Sequence, residues 1–188
     1  MKNKAIFLDR DGVINPLIYK PGEGVWDSPY RLEEFELFPG VPDAIKRIND
    51  SEFLAIIISN QPGIAKGKCD LNFIDSVNQK LKDEVSRTGG YFDSIRYCLH
   101  HPEGIVSPYG MVCDCRKPKP GLLLMAAQEY NIDLSSSYMI GDMSVDMEAG
   151  QSAGCATVFI PSKFGTQDEQ GGRHMTATSL YDAVAKIL

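Results

Sequence analysis

One stretch decides the fold of this chain: FLDRDGVIN, residues 7–15. The apolar run 5–8 predicts a short buried strand, and two carboxylates follow it, Asp9 and Asp11. Because alternate residues of an extended chain point the same way, both carboxylates are expected to converge just beyond the strand. Two such carboxylates repel each other unless a proton or a cation lies between them, and Mg2+ prefers oxygen ligands. The stretch predicts an acidic site; a polar turn around the Asp-Gly dipeptide is the alternative that these residues leave open.

The composition is that of one globular domain, which we expect to span residues 1–188. Hydrophobic residues make up 43% and charged residues 23% of the 188, enough for a substantial core. The net charge of −6 argues against a nucleic-acid backbone as the main partner. No apolar run approaches the ~20 residues that cross a bilayer, and no apolar signal segment precedes the first strand. We therefore expect a cytoplasmic monomer that binds neither nucleic acid nor membrane.

Strand and helix patterns alternate along the chain, which predicts an α/β fold with a doubly wound, mostly parallel sheet. Ligands bind such sheets at the carboxyl ends of the strands. Polar side chains end three of the predicted strands, at 9–11, 59–60 and 141–142, and this coincidence favours a site over unrelated turns. The strands after the first are predicted at 53–58, 92–99, 137–140 and, as the last, 156–160; helices are predicted at 41–48, 70–88, 122–130, 147–153 and 178–188, and a polar loop at 167–173.

A long segment, 16–37, separates the opening motif from the first helix. Its prolines and glycines predict a loop. Loops of this length are uncommon in compact domains and are often functional. The segment also holds the only tryptophan, Trp26. It is either a loop held by its own aromatic side chains or a wall of the substrate site.

Soft metal ligands cluster in one short window. Cys98 and His100 are spaced C-x-H, and Cys113 and Cys115 are spaced C-x-C. Four such ligands match a closed tetrahedral Zn2+ site, which would be structural because no coordination position stays open. The loop between the two pairs has few apolar residues, so an ion would help to order it. The alternative is a set of unrelated reduced thiols, which is the usual state of cysteines in the cytosol.

Two further charged groups follow this window. Arg116, Lys117 and Lys119 lie in a stiff proline-rich segment that suits an anionic substrate, although lysines are more often solvated surface charges. Asp142 and Asp146 come after a short apolar strand and repeat the pattern of the opening motif. An acid near a helix start is often only a cap, and this reading is strong for Asp146.

Four motifs together resemble the haloacid dehalogenase superfamily of phosphatases that use an aspartate nucleophile. They are D-x-D-G-x-x-N at 9–15, S-N-Q at 59–61, C-R-K-P-x-P-G at 115–121 and G-D-x-x-x-D at 141–146. The cysteine loop, C-x-H-H-P-E-G followed by C-x-C-R-K-P, is similar to that of the branch containing heptose 1,7-bisphosphate 7-phosphatases and histidinol phosphatases. The resemblance spans residues 4–160 and implies a Rossmann-like core without a large cap domain and with a zinc-stapled loop.

The resemblance also implies roles for individual residues. Asp9 would attack phosphorus, and Asp11 would be the general acid and then the general base. Ser59 and Lys117 would stabilise the transferring phosphoryl group. Mg2+ would be held by Asp9, Asp142 and the backbone carbonyl of Asp11. Zinc would be held by the four residues of the cysteine window, Cys98, His100, Cys113 and Cys115.

Substrate recognition is assigned in the same way, to Asn60, Gln61 and Arg116. The implied reaction is Mg2+-dependent removal of the 7-phosphate from D-glycero-D-manno-heptose 1,7-bisphosphate. Histidinol phosphate or another small phosphomonoester is the alternative substrate, and a catalytically inactive metal-binding module is a further reading. The chain departs from the family at Met143, where relatives usually have a lysine, and at Pro62, where a serine is common. The first departure puts recognition of a second phosphate in doubt.

Overall fold

A computed structural model describes residues 2–161 and 175–188 of the chain. The described strands form one six-stranded sheet and one two-stranded hairpin. The sheet contains β1 (Lys4–Leu8), β4 (Phe53–Asn60), β5 (Ser94–Cys98), β6 (Tyr138–Gly141), β7 (Ala156–Phe159) and β8 (Met175–Thr176), and the hairpin contains β2 (Ile18–Lys20) and β3 (Val25–Asp27). The helices are α1 (Val41–Asn49), α2 (Leu71–Ser86), α3 (Gly121–Glu129), α4 (Ser144–Ala153) and α5 (Leu180–Ile187), with short 3-10 helices at Leu32–Glu34 and Leu134–Ser136.

All ladders of the six-stranded sheet are parallel, in the order β5-β4-β1-β6-β7-β8. The predicted doubly wound α/β fold is therefore confirmed. From β1 the chain builds outward through β4 and β5, then crosses to the opposite side of β1 for β6. The direction of winding thus changes beside β1, and at such a point the loops leave a crevice at the carboxyl edge of the sheet.

Helices cover both faces of the sheet, and successive side chains of β1 point alternately into the two core clusters that these helices form with the sheet. Ala5 and Phe7 face one core cluster, which includes the buried side of α3, whereas Ile6 and Leu8 face the other, which includes α1, α2 and α5. All four side chains are fully buried. A strand that is covered on both faces needs a continuous apolar sequence, which is what the opening run provides.

Helix α2 begins as its sequence predicts. Asp70 is the N-cap, and its side chain accepts a hydrogen bond of 2.8 Å from the backbone N–H of Phe73. Such a bond satisfies one of the N–H groups left unpaired at a helix start. One face of α2 is buried against α1 and in the core cluster that covers this side of the sheet.

Two elements differ from the sequence prediction. The segment 16–37 contains the β2–β3 hairpin, in which Tyr19 lies opposite Trp26 with ring centroids 5.4 Å apart. Strands of three residues are too short for a periodic signal to stand out among prolines and glycines. The prediction of 156–160 as the last strand is wrong, because β8 adds one more parallel strand beside β7. The predicted loop at 167–173 lies outside the described residues.

No separate cap domain is found between the core elements of the described chain; the hairpin and the segment between β5 and α3 are the insertions that overhang the carboxyl edge. Within these same residues, no helix is both long and apolar enough to cross a bilayer.

Candidate active site

Three buried carboxylates meet at the carboxyl edge of the sheet. Asp9 follows β1, Asp142 follows β6, and Asp146 lies in the first turn of α4. One oxygen of each lies within 4.8 Å of those of the other two. Buried like charges at this separation need a cation between or beside them. The sequence predicted Asp9 and Asp142 as site residues and Asp146 mainly as a helix cap. The structure brings all three together.

Lys117 supplies part of the compensating charge. Its Nζ lies 2.9 Å from Oδ1 of Asp9 and 2.5 Å from Oδ1 of Asp146, and it donates a hydrogen bond of 2.9 Å to the carbonyl of Ile58. Burial alone would lower the pKa of this lysine, but the two carboxylates raise it well above its usual value. Lys117 is thus a fixed ammonium beside Asp9.

Asp146 also acts as the cap that the sequence predicted. Its Oδ2 accepts a hydrogen bond of 3.1 Å from the backbone N–H of Met143, at the start of α4. The other oxygen faces Lys117. One carboxylate therefore both starts a helix and holds the lysine.

Asn60, at the end of β4, holds the backbone on either side of that lysine. Its amide nitrogen donates to the carbonyl of Lys117 and its amide oxygen accepts from the N–H of Lys117, both at 3.1 Å. This reciprocal pair ties the end of a core strand to the loop after the cysteine window. The Asn60 side chain in this structure orients Lys117.

Asp11 accepts hydrogen bonds from four side chains. Nη2 of Arg10 lies 3.0 Å from both of its oxygens, Asn15 donates to Oδ1 at 2.8 Å, and Ser28 and Gln61 donate to Oδ2 at 2.8 and 2.7 Å. Burial raises the pKa of Asp11, but Arg10 and the three neutral donors outweigh it and hold the pKa below its usual value. In the free protein Asp11 is an oriented carboxylate.

Ser59 and Gln61 lie on the same side of the site. Ser59 is buried at the end of β4, and its hydroxyl accepts a hydrogen bond of 3.2 Å from the Gln61 amide. That amide also donates to Asp11, so Gln61 joins the end of β4 to the opening motif. The side chain of Gln61 therefore orients two predicted site residues.

Glycines allow the close approach of the acidic segments. Gly12 has a φ of +86°, a left-handed conformation that glycine adopts readily, and a Cβ there would overlap the Asp142 carboxylate. A Cβ on Gly141 would in the same way overlap Asp146. Both positions therefore need a residue without a side chain if the acids are to meet.

The site opens into a pocket of about 540 Å3, and Gln61, which the sequence assigned to substrate binding, is not on its wall. Ser59, Asn60, Arg116 and Lys117 all lie on its wall. Apolar residues in or next to the hairpin and α4 also line the pocket: Leu17, Val25, Trp26, Met143 and Val145. The wall also includes five aspartates, Asp9, Asp11, Asp27, Asp142 and Asp146.

The charge of this wall indicates a metal site. Its five aspartates face two cations, Arg116 and Lys117, so an anionic substrate needs further positive charge in order to bind. The oxygens of Asp9, Asp142 and Asp146 are hard donors that lie close enough together for one divalent ion such as Mg2+ to contact them. The Asp142 carboxylate packs against the backbone at Gly12, where a side chain would displace it. The residues therefore fit a Mg2+ site.

The cysteine window forms a second candidate metal centre. The three sulfurs of Cys98, Cys113 and Cys115 lie 3.3–3.5 Å apart, and Nδ1 of His100 lies 3.4 Å from the Cys115 sulfur. A tetrahedral zinc site with bonds of ~2.3 Å has edges of about 3.8 Å, so these four atoms need only a small expansion to take the ion. No disulfide joins these three cysteines, which are free. The predicted ligands are thus assembled in space.

The loop that carries this centre docks on the segment after β4. The N–H groups of Ile105 and Val106 donate to the carbonyl of Ala65 at 2.7 and 3.0 Å. Arg116 is tied to the loop from the pocket side, because its Nη1 donates to the carbonyl of His100 at 3.4 Å. The order of the cysteine loop thus bears directly on a cation of the pocket.

Sequence reasoning missed two of the residues that hold Asp11, and it gave no role to a third. Asn15 was visible, as the last letter of the D-x-D-G-x-x-N motif. Arg10 has no periodic signal, because a single charge at the end of a strand usually indicates exposure. Ser28 reaches Asp11 only because the hairpin folds back over the site.

Comparisons with known proteins agree with this geometry. The HAD-hydrolase-like family model matches residues 114–186. The D-glycero-beta-D-manno-heptose-1,7-bisphosphate 7-phosphatase of Escherichia coli K12 is 38% identical over 155 residues, which are 81% of this chain and 76% of that protein. The enzyme of the same name from Vibrio cholerae is 36% identical over 100% of this chain and 95% of its own length.

The chain belongs to the heptose bisphosphate phosphatase family of the haloacid dehalogenase superfamily.

A solved structure of the family has the same fold. D,D-heptose 1,7-bisphosphate phosphatase from B. bronchiseptica, complexed with magnesium and phosphate, superposes with a TM-score of 0.80 at 28% identity and covers 98% of this chain and 97% of its own. The family resemblance inferred from the four motifs is therefore confirmed.

Proposed function

We propose that this phosphatase removes the 7-phosphate from D-glycero-D-manno-heptose 1,7-bisphosphate, with Mg2+ as its catalytic metal. One observation carries the proposal: a buried carboxylate, Asp9, lies beside a fixed ammonium and an oriented second carboxylate in one pocket. That arrangement suits phosphoryl transfer through a covalent intermediate. The family relationship supports the choice of substrate.

The first step forms the intermediate. A carboxylate oxygen of Asp9 bonds to phosphorus while the bond between phosphorus and the sugar oxygen breaks. The sugar oxygen takes a proton from Asp11 and leaves as an alcohol. Because the lowered pKa keeps Asp11 ionised in the free protein, it takes up this proton from solvent when the anionic phosphate enters, since a nearby negative charge raises the pKa of a carboxyl group.

The second step releases phosphate. Asp11, now ionised, accepts a proton from a water molecule whose oxygen attacks phosphorus, and the bond between phosphorus and Asp9 breaks. Lys117 and the Ser59 hydroxyl lie where they can stabilise the charge on the phosphoryl oxygens in both steps. Asn60 and Gln61 support them by orienting Lys117, Ser59 and Asp11.

Both metals fit residues of the chain. Asp9, Asp142 and the backbone carbonyl of Asp11 would hold Mg2+, with Asp146 beside them, and the ion would supply positive charge to the phosphoryl oxygens. Cys98, His100, Cys113 and Cys115 would hold a structural Zn2+.

Arg116 is placed to bind the distal part of the substrate. It is the wall cation that is not engaged by the acidic cluster, and its backing by the His100 carbonyl fixes its direction. Arg116 is the cation that this wall offers to a second phosphate, and Met143 offers none. This wall also favours a second candidate, a small substrate with a single phosphate such as histidinol phosphate.

Trapping of the intermediate tests the proposal. Acid-quenched enzyme should carry phosphate on Asp9 after a short exposure to substrate and Mg2+, as peptide mass spectrometry can show. Asp9→Asn should lose both the modification and phosphate release. Asp43→Asn, which changes an exposed aspartate outside the pocket, should retain both. Phosphate release by a folded Asp9→Asn enzyme at the wild-type rate would reject the proposal.

A further inference from the structure

Arg10 is a wholly buried arginine between the two aspartates of the opening motif, with 0% of its surface exposed. Fully buried arginines are rare and costly unless the charge is paired. Here Nη2 lies 3.0 Å from both oxygens of Asp11, and the backbone N–H of Arg10 donates to Oδ1 of Asp9 at 2.7 Å. One residue therefore contacts both proposed catalytic carboxylates.

Two aromatic rings hold the guanidinium in place. Its carbon lies 5.8 Å from the ring centroid of Phe35 and 5.7 Å from that of Tyr97, distances at which a cation and a ring attract each other. Tyr97 is itself fixed, because its hydroxyl donates to Asn78 of α2 at 2.7 Å. The guanidinium is thus held from the sheet and from the segment before α1, and it has little freedom to follow Asp11 if that side chain moves.

The other donors to Asp11 are of a different kind. Asn15, Ser28 and Gln61 are neutral, and each contacts a single oxygen of the carboxylate. Arg10 is the charged partner, and its Nη2 contacts both oxygens, which restricts rotation of the carboxylate more than a contact with one oxygen does.

We propose that Arg10 is a positioning residue for phosphoryl transfer: caged by Phe35 and Tyr97, it holds the Asp11 carboxyl group in the orientation from which a proton reaches the leaving oxygen. The inference rests on the proposed role of Asp11. It predicts a dependence on the leaving group. A sugar alkoxide is a poor leaving group and needs the proton in the step that breaks its bond to phosphorus, whereas a nitrophenolate leaves without it. A misplaced Asp11 should therefore slow the first reaction far more than the second.

The experiment compares kcat/KM for the heptose bisphosphate and for p-nitrophenyl phosphate. This parameter covers the steps up to release of the leaving group, so slow hydrolysis of the intermediate does not mask the difference. We expect Arg10→Met to lower kcat/KM by about 30-fold or more for the sugar phosphate and by less than about threefold for the aryl phosphate, since misplacement of a catalytic group can cost about 100-fold. Arg10→Lys keeps the charge without the planar head and should give an intermediate ratio.

Arg96→Met is the matched control. Arg96 also pairs with a carboxylate, Glu129, at 2.6 Å, and lies 5.7 Å from the ring centroid of Tyr130, but it is not on the pocket wall. Its loss should leave the ratio of the two kcat/KM values at the wild-type level. Asp11→Asn is the reference for complete loss of the acid and should show the largest ratio.

The outcomes separate the inference from the function on which it rests. Suppose that Asp11→Asn discriminates between the two substrates. Folded Arg10→Met that loses kcat/KM equally on both substrates, or loses none, would then overturn the positioning role. If Arg10→Met does not fold, an unchanged ratio in Arg10→Lys overturns it instead. A wild-type enzyme that hydrolyses neither substrate, or an Asp11→Asn variant without discrimination, would reject the proposed mechanism itself.

Discussion

Met143 is an uncharged residue of the pocket wall, at a position where the sequence comparison with the family led us to expect a lysine. It is 38% exposed and lies on the pocket wall directly after Asp142. A thioether cannot pair with a phosphate, so the second phosphate of a bisphosphate gains less in this pocket than beside a lysine.

Met143→Lys should therefore increase the preference for heptose 1,7-bisphosphate over heptose 7-phosphate. The new ammonium group would be partly exposed. It should raise the ratio of the two kcat/KM values by about tenfold, which corresponds to ~1.4 kcal/mol of transition-state stabilisation. Met125→Lys, at an exposed position of α3 outside the pocket wall, is the control and should leave the ratio as it is. The same ratio in Met143→Lys as in wild type would show that the second phosphate does not reach this position.

Asp27 joins the hairpin to the segment after β4. Its carboxylate lies 2.9 Å from Nζ of Lys68 and accepts a hydrogen bond of 2.7 Å from the hydroxyl of Tyr30. Burial raises the pKa of Asp27, but the bonds from Lys68 and Tyr30 outweigh it and lower the pKa below its usual value of 3.8. A lowered pKa in the folded state means that the ionised carboxylate stabilises the fold above the unfolded pKa and loses this effect as the pH falls through the folded pKa.

Asp27→Asn should lower the free energy of unfolding at pH 7 by about 0.5–1 kcal/mol, the range for a partly exposed pair. Wild type and variant should converge as the pH falls from about 4 through the lowered folded-state pKa of Asp27, because both side chains are neutral below it. Thermal unfolding across this range measures the difference, and Asp50→Asn in the exposed pair with Lys46 is the control with a smaller effect. A difference that is independent of pH would mean that the charge of Asp27 does not stabilise the hairpin.

Individual site residues could be predicted where a short local pattern places them. Asp9, Asp142 and Ser59 stand at the ends of strands, and parallel strands bring such ends together. Arg10 and Ser28 could not be predicted in the same way, because their contacts with Asp11 depend on the aromatic cage and on the folded hairpin. Charge alone does not distinguish a buried arginine from a surface one.

At the level of secondary-structure elements, the β2–β3 hairpin and the cysteine loop both contribute to the pocket. The hairpin supplies Val25 and Trp26 to its wall, and the cysteine loop supports Arg116. The cysteine loop could be predicted because its ligand spacing is specific. The hairpin could not, since its pairing is set by a turn between two very short strands.

Removal of the proposed zinc should therefore loosen Arg116 as well as the cysteine loop that carries the ligands. Chelation, or Cys113→Ser, should lower Tm by ~5 °C or more, about 2 kcal/mol for a chain of this size, and should raise KM for the sugar phosphate more than it lowers kcat. Cys155→Ser, at a buried cysteine outside the cluster, controls for the loss of a thiol. A protein that metal analysis shows to be free of zinc but whose Tm and KM are unchanged would contradict a structural role for the ion.

In the whole molecule, the sheet order explains why residues distant in sequence form one site. β1 lies between β4 and β6, so the ends of three strands meet at the point where the winding changes direction. The fold class followed from alternating strand and helix patterns. The additional strand β8 did not, because two residues carry no periodic signal and their pairing depends on the position of β7.

The measurement that tests the central claim most directly is phosphate release in the presence of Mg2+. The substrates are the α and β anomers of heptose 1,7-bisphosphate, heptose 7-phosphate and histidinol phosphate, compared by kcat/KM. We predict a value for one bisphosphate anomer at least ~100-fold above that for histidinol phosphate, about 2.7 kcal/mol of differential transition-state stabilisation. Similar, low values on all four substrates would contradict the assignment of a heptose bisphosphate and would point to a different small phosphomonoester.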